Sequence, residues 1–155
     1  MKLSKRAGSD EKRLLNWVER VATFCTEQYG LPPITGRILG WLMICDPAEQ
    51  SGAEIAEAIR ASRASITTNM QMLTAGGLAR RSTRPGSRTV YYVIDDDAWD
   101  KVMQRRIQSL LSFQQITVDA LELIGTKGSQ ATRIRRAHEC FGKLAKALNE
   151  SLKAK

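Results

Sequence analysis

Apolar residues recur at helical spacing along most of this chain, and the first third of it predicts two adjoining helices. Over residues 10–29 the apolar side chains step by three and four, and Gly30 follows directly. A second apolar stripe starts at Pro33, which suits the first turn of a helix, and it ends at Asp46-Pro47. The density of apolar groups in this second helix indicates that it is mostly buried.

Two shorter helices joined by a tight turn are predicted next. Ser51 and Glu54 fit a capping box, in which each side chain accepts a hydrogen bond from the other residue's amide, at the start of a helix over residues 52–60. The hydroxyl of Ser62 can cap a following helix over residues 63–75. Apolar residues occupy one side of that helix, and its other sides carry hydrogen-bonding groups without carboxylates.

The apolar spacing changes from helical to extended after the glycine pair at 76–77. Residues 78–83 and 89–94 form two short runs, and the second is rich in β-branched and aromatic side chains. Pro85-Gly86 between them supplies a turn. The pattern therefore predicts a hairpin, with Arg84 and Arg88 on the two sides of its tip.

The last third of the chain is predicted to be helical. Asp95 to Asp97 offer helix N-caps and favourable charge for a long helix over residues 98–124, and glycines at 125 and 128 break it. A final helix over residues 129–152 carries an apolar stripe with coiled-coil spacing. The stripe consists of Ile134, Ala137, Phe141, Leu144, Leu148 and Leu152. A small domain has little core to offer a helix this long, so we expect the stripe to pack against a second subunit. Residues 1–9 and 153–155 are expected to fray.

Composition adds a basic, patterned surface to this helical chain. Its 155 residues are 43% hydrophobic and 26% charged, which is the balance of a folded globular protein, and the net charge is +8. Residues 58–94 contain six arginines, no lysine and no acidic residue, whereas the flanking segments mix both signs. One surface is therefore predicted to be free of groups that repel an anion, and nucleic acid is the obvious polyanion.

Other classes of protein are disfavoured by what the chain lacks. Its three cysteines have no metal-type spacing, and an odd number argues against a secreted disulfide framework. No signal-peptide core and no membrane-spanning apolar run are present, which predicts a cytoplasmic protein without a membrane partner. A single histidine, with no nucleophile–base set and no glycine-rich phosphate loop, predicts a protein that is not an enzyme and needs no cofactor or metal.

A helix, a turn, a helix and a hairpin with basic residues at its tip follow one another in the order of a winged helix-turn-helix. The predicted fold class is mainly α with a small β-hairpin wing. An α-helix fits the major groove of DNA, and a hairpin tip can place an arginine at the more negative minor groove. Each part of the acid-free stretch thereby acquires a position on the duplex.

The residues over 29–94 resemble the MarR-type winged-helix transcriptional regulators, and within them the GbsR-like branch. The segments that carry the resemblance are Gly30-Leu31-Pro32, Gly36-Arg37-Ile38-Leu39-Gly40, Glu54-Ile55-Ala56, Ser62-Arg63-Ala64-Ser65-Ile66-Thr67, Gly77-Leu78-Ala79-Arg80 and Gly86-Ser87-Arg88-Thr89-Val90-Tyr91-Tyr92. The resemblance implies a homodimer that binds a near-palindromic operator in double-stranded DNA and responds to a small-molecule effector or to cysteine oxidation. It implies an N-terminal helix in the dimerisation region (1–30), a winged DNA-binding domain (31–95) and C-terminal dimerisation helices (96–155).

The resemblance also implies which side chains meet DNA. Those predicted to face the major groove are Arg63, Ser65, Thr67, Thr68, Asn69 and Gln71. Arg84 and Arg88 are predicted to act at the wing, and Arg80 and Arg81 to contact phosphate. Many MarR members carry an acidic residue in the wing that pairs with its arginine, but residues 83–89 have none here. The wing arginines are therefore expected to be held less rigidly, and Arg60 receives no role.

Two alternatives stay open at this point. The winged helix could dock on a protein partner in a larger assembly, or the same scaffold could sense oxidants through a cysteine. Cys25 and Cys45 fall on apolar helical faces, whereas Cys140 has basic neighbours and is the better redox candidate. His138 is expected at a helix surface. The larger aromatic residues either fill the core or line an effector pocket, and they are Trp17, Phe24, Trp41, Trp99 and Phe113.

Overall fold

The computed structural model describes residues 2–154, with side chains from residue 10 onward, and over this range it has six helices and one three-stranded antiparallel sheet. The elements are α1 (Lys2–Tyr29), α2 (Pro33–Ile44), β1 (Gln50–Ser51), α3 (Gly52–Ala58), α4 (Arg63–Ala75), β2 (Ala79–Thr83), β3 (Val90–Ile94), α5 (Ala98–Ile124) and α6 (Gly128–Lys153). The chain divides into two compact units, the first ending at Ala98 and the second beginning at Trp99. The expected mainly α class with a small hairpin wing is confirmed.

The first helix is longer than predicted. Helix α1 begins at Lys2 rather than at residue 10, and α6 continues to Lys153, one residue past its predicted end. Once the amphipathic segment has formed a helix, extending it adds one hydrogen bond for each residue fixed, which is cheap compared with nucleation. Met1 and Lys155 lie outside the described residues.

Helices α1 and α2 pack closely because two glycines of α2 face α1. A Cβ atom built on Gly36 would lie 2.6 Å from the Cα atom of Ala22, and one on Gly40 would lie 3.3 Å from the Cα atom of Val18. The two helix backbones therefore approach at a distance that side chains would prevent. At the edge of this contact, Arg37 Nε lies 2.7 Å from Glu19 Oε1.

The predicted capping box is present at the start of α3. The Ser51 amide donates to Glu54 Oε2 at 2.6 Å, and the Glu54 amide donates to Ser51 Oγ at 3.2 Å. Hydrogen bonds from the Ser51 amide and then from its side chain lower the pKa of the Glu54 carboxyl. Helix α3 ends at Ala58, two residues earlier than predicted, and Arg60 follows with a left-handed φ of +54°.

Helix α4 has the predicted bounds and the predicted ends. The Ser65 amide donates to Ser62 Oγ at 3.1 Å, which is the expected cap. At the other end Gly77 has a φ of +64°, and the Leu78 amide donates to the Leu73 carbonyl at 2.9 Å. Leu78 then packs against the core, as its position after the glycine pair predicts.

Strand β1 is an element that the sequence pattern does not predict. Its two residues pair with β3, Gln50 opposite Tyr92 and Ser51 opposite Tyr91, so the sheet has the order β1-β3-β2. A segment of two polar residues has no alternation to detect, and only the pairing with a strand about 40 residues away makes it a strand. The wing is therefore tied along β3 to the residues that precede α3.

The core of the first unit lies among α1 to α4 and the sheet. Its fully buried large side chains include Val18, Ile38, Ile55, Ile66 and Met70. Trp17 and Trp41 are half-buried against this core, as one of the two interpretations of the aromatic residues expects. Phe24 is instead 55% exposed and packs edge-on against Tyr29, so it lies outside the core formed by the described side chains.

The second unit is the pair of helices α5 and α6, which joins through aromatic and polar contacts. Phe113 and Phe141 lie with ring centroids 4.3 Å apart. His138 is half-buried, with Nδ1 2.8 Å from the hydroxyl of Thr117 and Nε2 3.3 Å from the amide nitrogen of Gln114. The prediction of a surface histidine is wrong, because α5 covers the ring and supplies both hydrogen-bond partners.

Five of the six side chains in the apolar stripe of α6 are half-buried within one chain, and Leu144 is 50% exposed. The exposed apolar groups of the second unit lie mainly on α5, and they are Leu111, Phe113, Ile116, Leu123 and Ile124. Trp99, at the start of α5, is 49% exposed and therefore fills no core either. Within the described range, no helix is both long enough and apolar enough to span a membrane.

Candidate nucleic-acid interface

Helix α4 presents a polar outer face because its apolar residues occupy the opposite side. Ile66, Met70 and Leu73 are each 1% exposed and hold the inner side of the helix against the core. The predicted groove-facing residues that are exposed are Arg63, Thr67, Thr68 and Gln71. The outer face contains no carboxylate, so nothing on it repels a phosphate or competes for a base donor.

The two threonines on this face are oriented by their own helix. Thr67 Oγ1 donates to the Arg63 carbonyl at 3.1 Å, and Thr68 Oγ1 donates to the Ala64 carbonyl at 3.2 Å. These bonds use the hydroxyl protons and leave the oxygen lone pairs available as acceptors. The face thus offers acceptors from Thr67 and Thr68 beside the donors of Arg63.

Two of the predicted site residues lie on the flank of α4 rather than on its outer face. Asn69 is half-buried against α2, where its Oδ1 accepts a hydrogen bond of 2.7 Å from Thr35 Oγ1. Its Nδ2 donates to the Ser65 carbonyl at 2.8 Å, and Ser65 itself is half-buried. The sequence does not indicate a role for Thr35, because a threonine on an apolar helix face is an ordinary core residue.

The wing holds Arg84 in place although the wing itself has no acid. The Arg84 guanidinium lies 4.0 Å from the centroid of the Tyr91 ring, and its Nη2 lies 3.4 Å from Glu49 Oε2. The other carboxylate oxygen of Glu49 accepts a hydrogen bond of 2.7 Å from Ser82 Oγ. The expectation of loosely held wing arginines is therefore wrong for Arg84, because Glu49, an acid that lies outside the wing, pairs with it.

Glu49 is kept ionised by the same contacts. The hydrogen bond from Ser82 and then those of Arg84 lower the pKa of its carboxyl below the ordinary value, outweighing a partial desolvation that acts in the opposite direction. The residue directly precedes β1, and the pairing of β1 with β3 brings it to the wing. Because β1 was not predicted, Glu49 was not recognised as part of the site.

The acid-free stretch of sequence is not an acid-free surface. Besides the Glu49 contact with Arg84, the Asp96 carboxylate lies 3.8 Å from Arg80 Nη2. In contrast, Arg63, Arg81 and Arg88 are exposed and make no ion pair with any described carboxylate. The five arginines of α4 and the wing thus divide into two that pair with acids and three that make no ion pair with a described acid.

Arg60 differs from the other arginines in its surroundings. It is exposed at the turn between α3 and α4, and it lines an open groove with Glu11, Lys12 and Asn16 of α1. The Ala61 amide donates to the Ala56 carbonyl at 2.9 Å. This hydrogen bond spans Arg60, the residue with the left-handed φ, and ends α3. Arg60 therefore belongs to the α1 side of the turn, where acidic residues are present.

The three cysteines differ in access to solvent. Cys25 is 5% exposed, and burial raises the pKa of its thiol. Cys45 is half-buried, with Sγ 3.6 Å from the Ala48 carbonyl, and its pKa is also raised, chiefly by burial. Both carry the features of unreactive core thiols, whereas Cys140 on α6 is exposed.

Comparison with known proteins gives two informative likenesses, although no family model matches the chain. The HTH-type transcriptional regulator MmpR5 of Mycobacterium tuberculosis (strain ATCC 25618 / H37Rv) is 29% identical over 143 residues, which are 92% of this chain and 86% of that protein. A crystal structure of a transcriptional regulator superposes with a TM-score of 0.71 at 28% identity, covering 92% of this chain and 97% of that one. The helix-turn-helix, the wing and these two likenesses together support a transcriptional regulator of the winged-helix (MarR-like) fold.

Proposed function

We propose that this protein is a homodimeric, sequence-specific DNA-binding regulator of the GbsR-like branch. It acts in the cytoplasm and represses transcription by occupying a promoter. One observation carries the proposal: the outer face of α4 has no carboxylate, and Arg63 on α4 and Arg81 and Arg88 on the wing hairpin make no ion pair with described acids. A surface of donors and acceptors with unpaired cations is complementary to a major groove and its flanking phosphates.

The proposal gives the side chains separate tasks. Arg63, Thr67, Thr68 and Gln71 read base edges in the major groove, with Arg63 suited to the two acceptors of a guanine. Arg88 and Arg84 work at the wing, where a narrow minor groove attracts an arginine. Arg81 contacts phosphate, as does Arg80 when it leaves Asp96. These contacts place the protein in register, and the contacts of α4 supply the specificity.

Dimerisation is supported by the exposed apolar side chains of α5. Leu123 is 87% exposed and Ile116 is 58% exposed, and Ile124 and Leu111 are each 42% exposed. Burying one such side chain fully is worth about 1.5–3 kcal/mol, and a second copy of the chain exposes the same apolar side chains. Two-fold symmetry then explains a near-palindromic operator.

A small-molecule effector would act by changing the distance between the two α4 helices of the dimer. Successive major grooves on one side of the duplex lie about 34 Å apart, and the dimer binds tightly only when its two α4 helices match that distance. A ligand with higher affinity for another spacing shifts the population away from the binding-competent state by its differential affinity.

The alternative function, a protein-interaction module, is disfavoured by the polar exposed surface of α4. A large contiguous apolar patch on an exposed surface marks a site of protein–protein interaction. The exposed positions of α4 are polar except for alanines and Met72, which is 46% exposed at the flank beside Thr35.

Salt titration of binding to the DNA upstream of the protein's own gene tests the proposal. The three free arginines of each protomer give six cations per dimer, so log K should fall against log salt with a slope of about −5. A slope near zero for the wild-type protein would contradict nucleic-acid binding through this surface.

A variant of Glu49 sharpens the same experiment. Glu49→Gln removes the acid beside Arg84, so the slope of the dimer should steepen by up to about 2 as two more guanidiniums become free. Glu57→Gln is the matched control, because Glu57 is an exposed acid on α3 that makes no ion pair with a described residue. Equal slopes for the Glu49→Gln and Glu57→Gln proteins would show that Glu49 does not compete with DNA for Arg84.

A further inference from the structure

A buried polar contact joins the candidate recognition helix to α2. The hydroxyl of Thr35 is fully buried, and it donates to Asn69 Oδ1 at 2.7 Å. The same hydroxyl lies 3.6 Å from the sulfur of Met72, one turn further along α4. This threonine therefore contacts two successive turns of α4 on one side.

The rest of the contact between α4 and the core is apolar. Ile66, Met70 and Leu73 bury the inner side of the helix, and apolar burial has no preferred direction. A hydrogen bond does depend on distance and angle, and a buried donor left without a partner is costly. The Thr35–Asn69 bond therefore adds a directional contact to the apolar packing that orients α4 about its own axis.

The hydrogen bonds of the Asn69 amide point to the same role. Its oxygen is engaged by Thr35, and its nitrogen donates to the Ser65 carbonyl at 2.8 Å with Ser65 Oγ at 3.4 Å. A base-reading asparagine uses both its oxygen and its nitrogen on one adenine. Asn69 instead uses both on protein atoms, and it lies on the flank of the helix rather than on the outer face.

Thr35 is itself held in place by the close packing of α1 and α2. Its neighbour Gly36 lies against Ala22 and Cys25 of α1 with no room for a side chain. The close packing of α1 against α2 therefore fixes the position of the Thr35 hydroxyl. Its hydrogen bond to Asn69 links α4 to that fixed position.

We propose that Thr35 is a positioning residue for operator recognition and that Asn69 acts with it in setting the rotation of α4 rather than by reading a base. The inference rests on the proposed function, because it assigns a role within sequence-specific binding by α4. It differs from the assignment drawn from the family resemblance, in which Asn69 faces the major groove.

The test is a double-mutant cycle with DNA discrimination as the readout. Thr35→Val removes the hydroxyl at constant shape, Asn69→Ala removes its partner, and the double variant removes both. The operator is first identified by sequencing the DNA that copurifies with the protein. The ratio of Kd for random DNA to Kd for this operator is then measured at a temperature where circular dichroism shows each protein folded. Thr35→Ser keeps the hydroxyl, and Thr35→Ala serves as a second hydroxyl-free variant if Thr35→Val does not fold. Ile38→Val, one turn along α2 and fully buried, controls for general loosening of that helix.

We expect Thr35→Val and Asn69→Ala each to lower the ratio about tenfold, comparable to the effect of one mismatched base pair in the operator. The double variant should fall no further, Thr35→Ser should retain the ratio, and Ile38→Val should leave it unchanged while lowering the melting temperature. A Thr35→Val protein that discriminates like the wild type would overturn the inference alone, and so would a double variant whose effect is the product of the two single effects. A wild-type protein that shows no discrimination would overturn the proposed function as well.

Discussion

Replacing Gly36 by Ala is expected to lower the free energy of unfolding of the first unit by about 3 kcal/mol. The added Cβ atom would lie 2.6 Å from Ala22 Cα, 3.2 Å from the Ala22 carbonyl oxygen and 3.2 Å from Cys25 Cβ. Two of these atoms are backbone and cannot move away as the end of a flexible side chain can. Helix α2 must therefore shift from α1, which disrupts the packing around Val18 and Ile38. Urea unfolding followed by circular dichroism measures the change.

The matched control is the same substitution at Gly52, in the first turn of α3. The nearest atom to a Cβ there is Ile66 Cγ2 at 3.9 Å, which is ordinary van der Waals contact. Alanine is the better helix former, so Gly52→Ala should leave stability unchanged or raise it by up to about 1 kcal/mol. Equal destabilisation by the two substitutions would contradict the close approach of α1 and α2.

Replacing Arg63 by Ala is expected to weaken binding to the operator by about 1–3 kcal/mol, while binding to random DNA changes far less. Arg63 stands exposed in the first turn of α4 and makes no ion pair with a described acid, so its guanidinium is free to bond a base edge. Fluorescence anisotropy titrations with the operator and with a scrambled duplex of equal length measure the two affinities.

Arg81→Ala provides the comparison for Arg63→Ala. Arg81 is exposed on β2 opposite Tyr92 rather than on α4, and is proposed to contact phosphate. Its removal should weaken both duplexes by a similar factor and reduce the salt slope by about 1 for each phosphate that the arginine no longer neutralises. Reduced discrimination in Arg81→Ala together with uniform weakening in Arg63→Ala would reverse the proposed roles.

Local sequence signals were sufficient for most of the fold. The informative signals are the caps at Ser51 and Ser62, the glycine pair at 76–77 and the Pro85-Gly86 turn. The helices and strands that begin or end at these signals lie within one or two residues of their predicted positions. Each of these signals depends on backbone groups within a few residues. The start of α1 was misplaced because helix propagation beyond an amphipathic segment leaves no comparable mark.

The parts of the site that sequence could not supply all depend on contacts between distant residues. Glu49 reaches Ser82 and Arg84 across separations of 33 and 35 residues, and Thr35 reaches Asn69 across 34. Charge counted along residues 58–94 could not include Glu49, because only the pairing of β1 with β3 brings it to the wing. A linear stretch without acids therefore predicted the basic region but not which arginines in it are free.

The most direct measurement is sequencing of the DNA that copurifies with the protein after crosslinking. If two copies of α4 read successive major grooves, the recovered fragments should share a near-palindromic sequence whose half-sites are centred about one helical turn apart. The Arg63→Ala protein should recover the same fragments with much weaker enrichment. Fragments without any shared sequence, or with a single unpaired half-site, would contradict recognition of DNA by a dimer through α4.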